Sequence, residues 1–326
     1  MSAPAEPTHV VVGASGQIGA HVARLLEASG ARVRRVARSP GGGPAPAGHA
    51  YGDIGDPSDA ERLCAGAGVV YACFGGPHAT WAEQFPRMTE GVLAGARRAG
   101  ARVVFADNLY AYGPHDGVLT EETPARPFGR KPKLRADVAA RFLAADRRGE
   151  VRAAIVRASD LYGPGVRNAM AGASLVAAAL AGRRVYLPGD LDAPHTFSFA
   201  PDVARAMVQV GASDAAWGEV WHAPSAPALS LRALVDAIAA LGATAARVTR
   251  IPSLAVRAAG LFDRDVRELM ELSFQWDRPY LVSHAKFAAR FGAAPTSIAD
   301  GLRATRDWLA AADAPAPVRA RAPARA

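Results

Sequence analysis

Cysteine, lysine and long apolar runs are all scarce in this chain of 326 residues, and each scarcity excludes something. There are two cysteines. Cys64 and Cys73 form neither a C-x-x-C nor a metal-ligand spacing, so no disulfide framework or cysteine metal site is expected, and the usage suits a reducing compartment. Lys131, Lys133 and Lys286 are the only lysines, so the net charge of +8 rests almost wholly on arginine. Those arginines are scattered among alanines rather than gathered into a stripe, which argues for a solvated surface and against a nucleic-acid partner. No apolar run is long enough to span a bilayer, and no basic-then-apolar stretch opens the chain. The expectation is a soluble cytoplasmic protein with no membrane partner, acting as a monomer or homodimer. No internal repeat is visible, and no cluster suggests a metal.

Half of the residues are apolar, enough for a sizeable core in one large domain or two smaller ones. The chain is organised around His9-Val10-Val11-Val12-Gly13-Ala14-Ser15-Gly16-Gln17-Ile18-Gly19. An apolar strand runs into three glycines spaced G-x-x-G-x-x-G, and an amphipathic helix follows from Ala20 to Ala28. This is the opening of a dinucleotide-binding βαβ unit. Gly13 turns the chain off the strand, Gly16 lets backbone approach a pyrophosphate, and Gly19 lets the helix pack on the sheet. The helix N-terminus offers N–H groups and partial positive charge to the phosphates. Ser15, Gln17 and Ile18 complete the cofactor-lining turn.

A second strand, Ala31 to Ala37, ends where an acidic residue would hold a ribose 2′-hydroxyl. Arg38 stands there instead, with Arg34 and Arg35 nearby. A guanidinium can grip a 2′-phosphate that a carboxylate would repel, so the cofactor is read as NADP, with NAD as the alternative. Ser39 to Gly48 is a glycine- and proline-rich loop. A third strand ends at Gly52-Asp53-Ile54-Gly55-Asp56, and Pro57 to Cys64 is a helix. Further strands are expected at Gly68–Phe74, Ala101–Ala106 and Val151–Arg157, with helices at Trp81–Ala99, capped by Gly100, and Lys133–Arg147. The alternation specifies an α/β fold, a Rossmann-type doubly wound parallel sheet. After Val166, helices at Ala171–Ala181, Pro201–Val210, Leu231–Leu241 and Leu254–Phe274 alternate with short strands at Arg184–Leu187, Glu219–His222 and Arg247–Ile251. A last helix runs from Ile298 to Ala311. The division is a dinucleotide-binding domain over 1–165, to which 198–224 returns, a smaller mixed C-terminal substrate lobe over 166–312, and a disordered tail over 313–326.

Taken together, G-A-S-G-Q-I-G at Gly13–Gly19, G-D-I at Gly52–Ile54, Tyr112-Gly113, L-T-E-E-T-P at Leu119–Pro124, R-A-S-D-L-Y-G-P-G at Arg157–Gly165 and P-D-V-A at Pro201–Ala204 resemble the extended short-chain dehydrogenase/reductase family, also called the NAD-dependent epimerase/dehydratase family. The resemblance runs from Val10 to about Trp308. It implies that Asp53, with Ile54 beside it, contacts the adenine and that Phe74, Gly75 and Gly76 line the cofactor. It also implies that Asn108 holds the place of a catalytic Ser or Thr. The family's acid/base pair, Tyr-x-x-x-Lys, is missing from its expected place. Phe128 stands for the tyrosine and Pro132 for the lysine, and no tyrosine in the chain has a lysine four residues on.

Substitutes for the pair are sought in the loops at the strands' carboxyl ends. Tyr110, with Lys131 or Lys133 near enough to lower its pKa, is the leading proton donor, and His195, in a loop, is the second. Asn108 could orient a carbonyl, and Asp107 could be a base or a loop cap. His78, Tyr112, Asp160 and Tyr162 are candidate substrate contacts. Three functions compete. One is an NADP(H)-dependent oxidoreductase acting on a carbonyl or alcohol of a small organic molecule. The second is an epimerase, isomerase or dehydratase that retains its cofactor, and the third a non-catalytic NADP sensor.

Overall fold

Strand β1, Thr8–Val12, lies inside a sheet and is buried on both faces. In a computed structural model, which describes residues 8–38 and 47–311, it pairs in parallel with β2, Val33–Ala37, on one side and β4, Ala67–Ala72, on the other. Strand β3, His49–Tyr51, pairs beyond β2, and β5, Arg102–Asn108, beyond β4. The strands Ala153–Ala158 and Val220–His222 complete a seven-stranded parallel sheet. The strand order reverses at β1, where the chain continues to β2 on one side while β4 lies on the other. In an open α/β sheet this switch point is where ligands bind.

The near-continuous apolar runs follow from burial on both faces. Side chains alternate along a strand, so Val10, Val70, Val103 and Ile155 face one layer and Val11, Val69, Val104 and Val156 the other. The first layer is made by α2 (Pro57–Cys64), α3 (Trp81–Ala99) and α4 (Arg130–Arg147), through Leu63, Phe85, Val92 and Phe142. The second is made by α1 (Gly19–Ala28) and the helix Ala200–Ala212, through Val22, Leu26, Val203 and Met207. Local chemistry fixes the ends. Asp56 accepts from Ser58 N and Asp59 N with Pro57 in the first turn, and α3 stops at Gly100, whose φ of 64° is left-handed.

A third core joins the helices Ala173–Leu180, Leu231–Leu241 and Ile298–Ala310 to the paired strands Asp160–Tyr162 and Phe197–Phe199. The chain visits this region and then returns to the sheet, since Ala200–Ala212 packs beside α1 and Val220–His222 extends the sheet.

Several sequence expectations shift. The helix expected over Leu254–Phe274 is broken at Asp263, which is extended and accepts from Val266 N. The result is two helices, Ser253–Phe262 and Arg264–Met270, and a single turn at Ser273–Gln275. His195 belongs to a short strand, Pro194–His195, paired antiparallel with Leu229–Ser230, and not to a loop. The helix Ala285–Phe291 had no sequence prediction; Phe287 seats it against Trp221. The loop at Ser39–Gly48 falls mostly, and the tail at 313–326 wholly, outside the described residues, as does the side chain of His78. Among the described residues no helix is long and apolar enough to cross a membrane.

Candidate active site

The glycine turn leaves the carboxyl end of β1 with Gly13 at φ 80°, a conformation that glycine accepts without strain. A Cβ on Gly13 would lie 2.6 Å from the Cys73 carbonyl oxygen, and one on Gly19 would lie 2.3 Å from the Gly13 oxygen. Both glycines are therefore required by the fold. Gly16 differs in degree: a Cβ there would lie 3.1 Å from the Gly13 oxygen, a tight contact rather than a collision. Ser15 is exposed, and Ile18 forms the N-terminal boundary of α1. Gln17 Oε1 accepts from Arg167 N at 3.0 Å, tying the turn to the loop after Asp160–Tyr162. A cradle that only glycine can line, at a helix N-terminus, fits a dinucleotide pyrophosphate.

The three arginines near β2 divide. Arg34 donates to the carbonyls of Leu63 and Ala65, and Arg35 is paired with Glu27. Arg38 is exposed and without a hydrogen bond or ion pair among the described residues. The 2′-phosphate reading therefore rests on Arg38 alone. Asp53 accepts from Gly55 N at 2.9 Å and is paired with Arg87, beside the buried Ile54.

From the turn, a row of rings leads to the end of β5. Gly13 abuts Cys73 and Phe74. Phe74 meets Phe105, and Phe74 and Trp81 both pack on Phe85. Trp81 donates to the carbonyl of Gly76, next to the exposed Gly75, and stacks on Tyr110 at 6.3 Å. Tyr110 and Tyr112 lie on a single turn whose first N–H, that of Tyr110, donates to Asn108 Oδ1 at 3.1 Å. Asn108 thereby fixes the turn with its carbonyl oxygen.

Asp107, read as a base or cap, is neither. Its carboxylate is fully buried between two guanidiniums, with Arg135 Nε at 2.9 Å and Arg157 Nε at 3.0 Å. Arg135 lies over the rings of Phe85 and Phe105, and Arg157 over Tyr112. Sequence reasoning missed both arginines. The available signal was helical spacing: Arg135 follows Lys131 by four residues and so shares its face of α4.

The pairing of Lys131 with Tyr110 is not what the structure shows. Lys131 is buried with its ammonium on Glu268 and Glu271, and its backbone N–H donates to Glu271 at 2.9 Å. Lys133 is exposed beside Asp137. The reason is where α4 begins. Its first turn presents Lys131 to the downstream segment 268–271, and Arg135, one turn later, reaches β5. Phe128 is 68% exposed, and Pro132 is buried in the first turn.

Burial and the neighbouring Asp160 raise the Tyr110 phenol well above its ordinary pKa, opposed by Arg135 and by a hydrogen bond with Gln275. Tyr112 donates to His222 Nε2 at 2.8 Å, while His222 Nδ1 donates to the Ser283 carbonyl at 2.9 Å. Burial holds His222 neutral, its pKa lowered to about 3. Tyr112 is therefore committed to the protein interior. Tyr162, the other tyrosine read as a substrate contact, is a core residue: its hydroxyl points at Gly301 in the last helix, and a Cβ on Gly301 would lie 2.6 Å from it.

Asp160 and His195 do come together. Asp160 Oδ2 accepts from Trp276 Nε1 at 2.7 Å and lies 3.2 Å from His195 Nε2, an ion-pair contact rather than an aligned hydrogen bond. His195 Nδ1 is 3.1 Å from the Gln275 carbonyl. Both ring nitrogens face oxygen atoms. Burial pushes the Asp160 carboxyl up, but His195 and Trp276 outweigh it and hold it below its usual value. Tyr280 stacks on His195 with centroids 5.4 Å apart. His195 also lines a narrow crevice with Asp190, Gln275, Trp276 and Arg278.

One segment, 268–280, therefore reaches Lys131, Tyr110, Asp160 and His195. The sequence did carry a sign of it: Phe274, Trp276 and Tyr280 fall within seven residues of a chain that is 7% aromatic.

The model of the NAD dependent epimerase/dehydratase family matches residues 9–221. No curated protein matches the chain. Among solved structures, the dTDP-glucose 4,6-dehydratase of Streptomyces venezuelae with NAD bound is 21% identical, covering 93% of this chain and 97% of that one at a TM-score of 0.73. The UDP-glucose 4-epimerase of Thermus thermophilus in complex with NAD is 20% identical, covering 94% and 99% at 0.72. The UDP-glucuronic acid 4-epimerase of Bacillus cereus, with UDP-glucuronic acid and NAD, is 19% identical, covering 93% and 99% at 0.74. At these identities the likeness is one of fold.

Proposed function

The chain belongs to the NAD-dependent epimerase/dehydratase family, and from that premise we propose that it is a dinucleotide-dependent oxidoreductase acting on a carbonyl or alcohol of a small organic molecule, with NADP(H) as its cofactor. The observation that carries this reading is a convergence. A glycine cradle at the sheet's switch point leads, through the rings of Phe74 and Trp81, to a cluster of proton-bearing side chains, Tyr110, Asp160 and His195.

The roles follow from what each group has left to offer. Gly13, Gly16, Gly19 and the N-terminus of α1 would hold the pyrophosphate, Asp53 and Ile54 the adenine side, and Arg38 a 2′-phosphate. The bound cofactor would supply hydride exchange at carbon. Tyr110 would donate the proton to the substrate oxygen, and the amide nitrogen of Asn108 would orient that oxygen. His195, held against Asp160, is the second proton source. Lys131 is left out because its charge is already met by two glutamates. With Phe128 and Pro132 in the family's tyrosine and lysine places, the chemistry runs through a phenol whose ionisation is favoured by Arg135 rather than by a lysine.

Family membership favours a second reading on the same residues, a cofactor-retaining epimerase or dehydratase, in which the hydride removed from an alcohol carbon is returned to the product. The solved neighbours named above bind NAD, which keeps NAD open as the cofactor. Fall of NADPH absorbance with a panel of ketones supports the reductase. Binding of NAD with interconversion of sugar epimers and no net absorbance change supports the second reading. Dinucleotide binding without turnover of either panel would sink both and leave a sensor. Tyr110→Phe should cut turnover about a hundredfold or more with folding intact.

A further inference from the structure

The candidate site contains a phenol that the family model does not reach, since the match ends at residue 221. Tyr280 is 2% exposed, and its hydroxyl has no hydrogen-bond partner. Its neighbour Tyr112 is otherwise engaged, since the Tyr112 hydroxyl bonds His222. An unpaired buried hydroxyl is a cost that folded chains usually avoid.

The backbone of Tyr280 is nevertheless held firmly. Its N–H donates to the Pro194 carbonyl at 2.9 Å, and its own carbonyl accepts from Thr196 N at 2.9 Å. These bonds bracket His195, on which the Tyr280 ring stacks, while Phe274 meets the ring edge. Through His195, whose Nε2 lies 3.2 Å from Asp160, the ring adjoins the candidate site, and it shares a packed cluster with Tyr112 and Tyr110.

We propose that Tyr280 is a catalytic residue whose hydroxyl hydrogen-bonds the reacting oxygen of the substrate. The inference rests on the oxidoreductase reading above and adds to it a donor on the C-terminal segment. In the reducing direction the Tyr110 O–H bond breaks as the carbonyl oxygen takes its proton and the carbonyl carbon takes the hydride of a dihydronicotinamide, while the Tyr280 hydroxyl donates a hydrogen bond to that oxygen. The electron pair stays on the Tyr110 phenolate, whose ionisation Arg135 favours, and water returns the proton between turnovers. In the oxidising direction each transfer reverses. Burial, with Asp160, raises the Tyr280 phenol's pKa well above its ordinary value, and Arg157 opposes that rise. The group is thus kept in its donor form until an acceptor arrives.

Tyr280→Phe tests this because it deletes a hydroxyl that bonds nothing in the protein. Its melting temperature should equal or exceed that of the parent, and its NADPH affinity, read by fluorescence, should be unchanged. Turnover of any ketone the parent reduces should fall about a hundredfold or more. Full turnover in Tyr280→Phe overturns the proposal and leaves the oxidoreductase reading standing. A second readout does not need turnover. In full-length protein labelled at tyrosine Cζ with ¹³C, the Tyr280 resonance, identified by its loss in Tyr280→Phe, should shift when 2-butanone is added in the presence of NADP. If that resonance stays fixed, the proposal fails whether or not the parent reduces ketones. A lowered melting temperature in Tyr280→Phe would show a structural hydroxyl and would also overturn it.

Discussion

The indole nitrogen of Trp276 donates to Asp160 Oδ2 at 2.7 Å, across 116 residues of sequence. With that bond a segment from the end of the chain closes over strand ends that the first half of the chain builds. Glu268 and Glu271 make a second such link, to Lys131. The sheet supplies the platform of the candidate site, and the 268–280 segment decides which of its polar groups remain free.

The three glycines should separate on substitution. Gly16→Val should cost less stability than Gly19→Ala, because its Cβ meets the Gly13 oxygen at 3.1 Å rather than 2.3 Å, and should abolish dinucleotide binding, because the new side chain occupies the space a pyrophosphate needs. Gly19→Ala should instead destabilise the fold by about 3 kcal/mol or more, since its Cβ would press on the Gly13 carbonyl. Denaturant unfolding and a binding titration on both variants distinguish the two roles. Loss of stability in Gly16→Val comparable to Gly19→Ala would erase the distinction.

Arg38→Ala should weaken NADP binding far more than NAD binding. Arg34 and Arg35 are occupied by backbone carbonyls and by Glu27, so they offer no replacement charge. A charged hydrogen bond to a phosphate is worth about 1.5–3 kcal/mol, or roughly a tenfold to hundredfold change in dissociation constant. Equal loss for the two cofactors would remove Arg38 from 2′-phosphate recognition.

The middle of the sheet was legible in the sequence because β1, β4, β5 and Ala153–Ala158 are apolar runs followed by glycine or polar loop residues. Burial on both faces enforces such a pattern locally. The glycine turn was legible for the same reason: steric demands at Gly13 and Gly19 are met by neighbours in the same motif or the next strand. The site was less so. Tyr110, Asp160 and His195 were visible as residues in loops after strands, but Arg135, Arg157 and Tyr280 were not. Their roles depend on partners dozens to more than a hundred residues away, and spacing within one element carries no trace of such a partner. Lys131 shows the consequence: its place on α4 suggested a phenol, and two glutamates from residues 268–271 determine its actual contacts.

Lys131→Met should therefore act on stability before chemistry. It would remove the ammonium that Glu268 and Glu271 share, and since both are partly exposed, about 1–3 kcal/mol of destabilisation is expected rather than the larger loss seen for a fully buried charge. Turnover per folded molecule should change little. Combining it with Glu268→Gln and Glu271→Gln should recover part of the loss. A large fall in turnover with stability intact would return Lys131 to the mechanism.

The acid limb of stability should report His222. Its imidazole is fully buried and neutral, with a pKa lowered to about 3 by burial first and then by Arg157, Lys286 and His284, against the raising effect of its bond to Ser283. In the unfolded chain the group titrates at its ordinary value of about 6.5. Between those values the unfolded state binds a proton that the folded state does not, so stability rises with pH across this window. Its contribution is fully present above about 6.5 and is lost as the pH falls toward 3, by about 3–5 kcal/mol in all. His222→Gln keeps an acceptor for the Tyr112 hydroxyl and a donor for the Ser283 carbonyl but carries no titrating proton. Urea unfolding of this variant should show a flatter dependence between about pH 6.5 and about pH 4 than the parent. An equally steep fall in both proteins would assign the acid sensitivity to other groups and refute the buried neutral imidazole as its source.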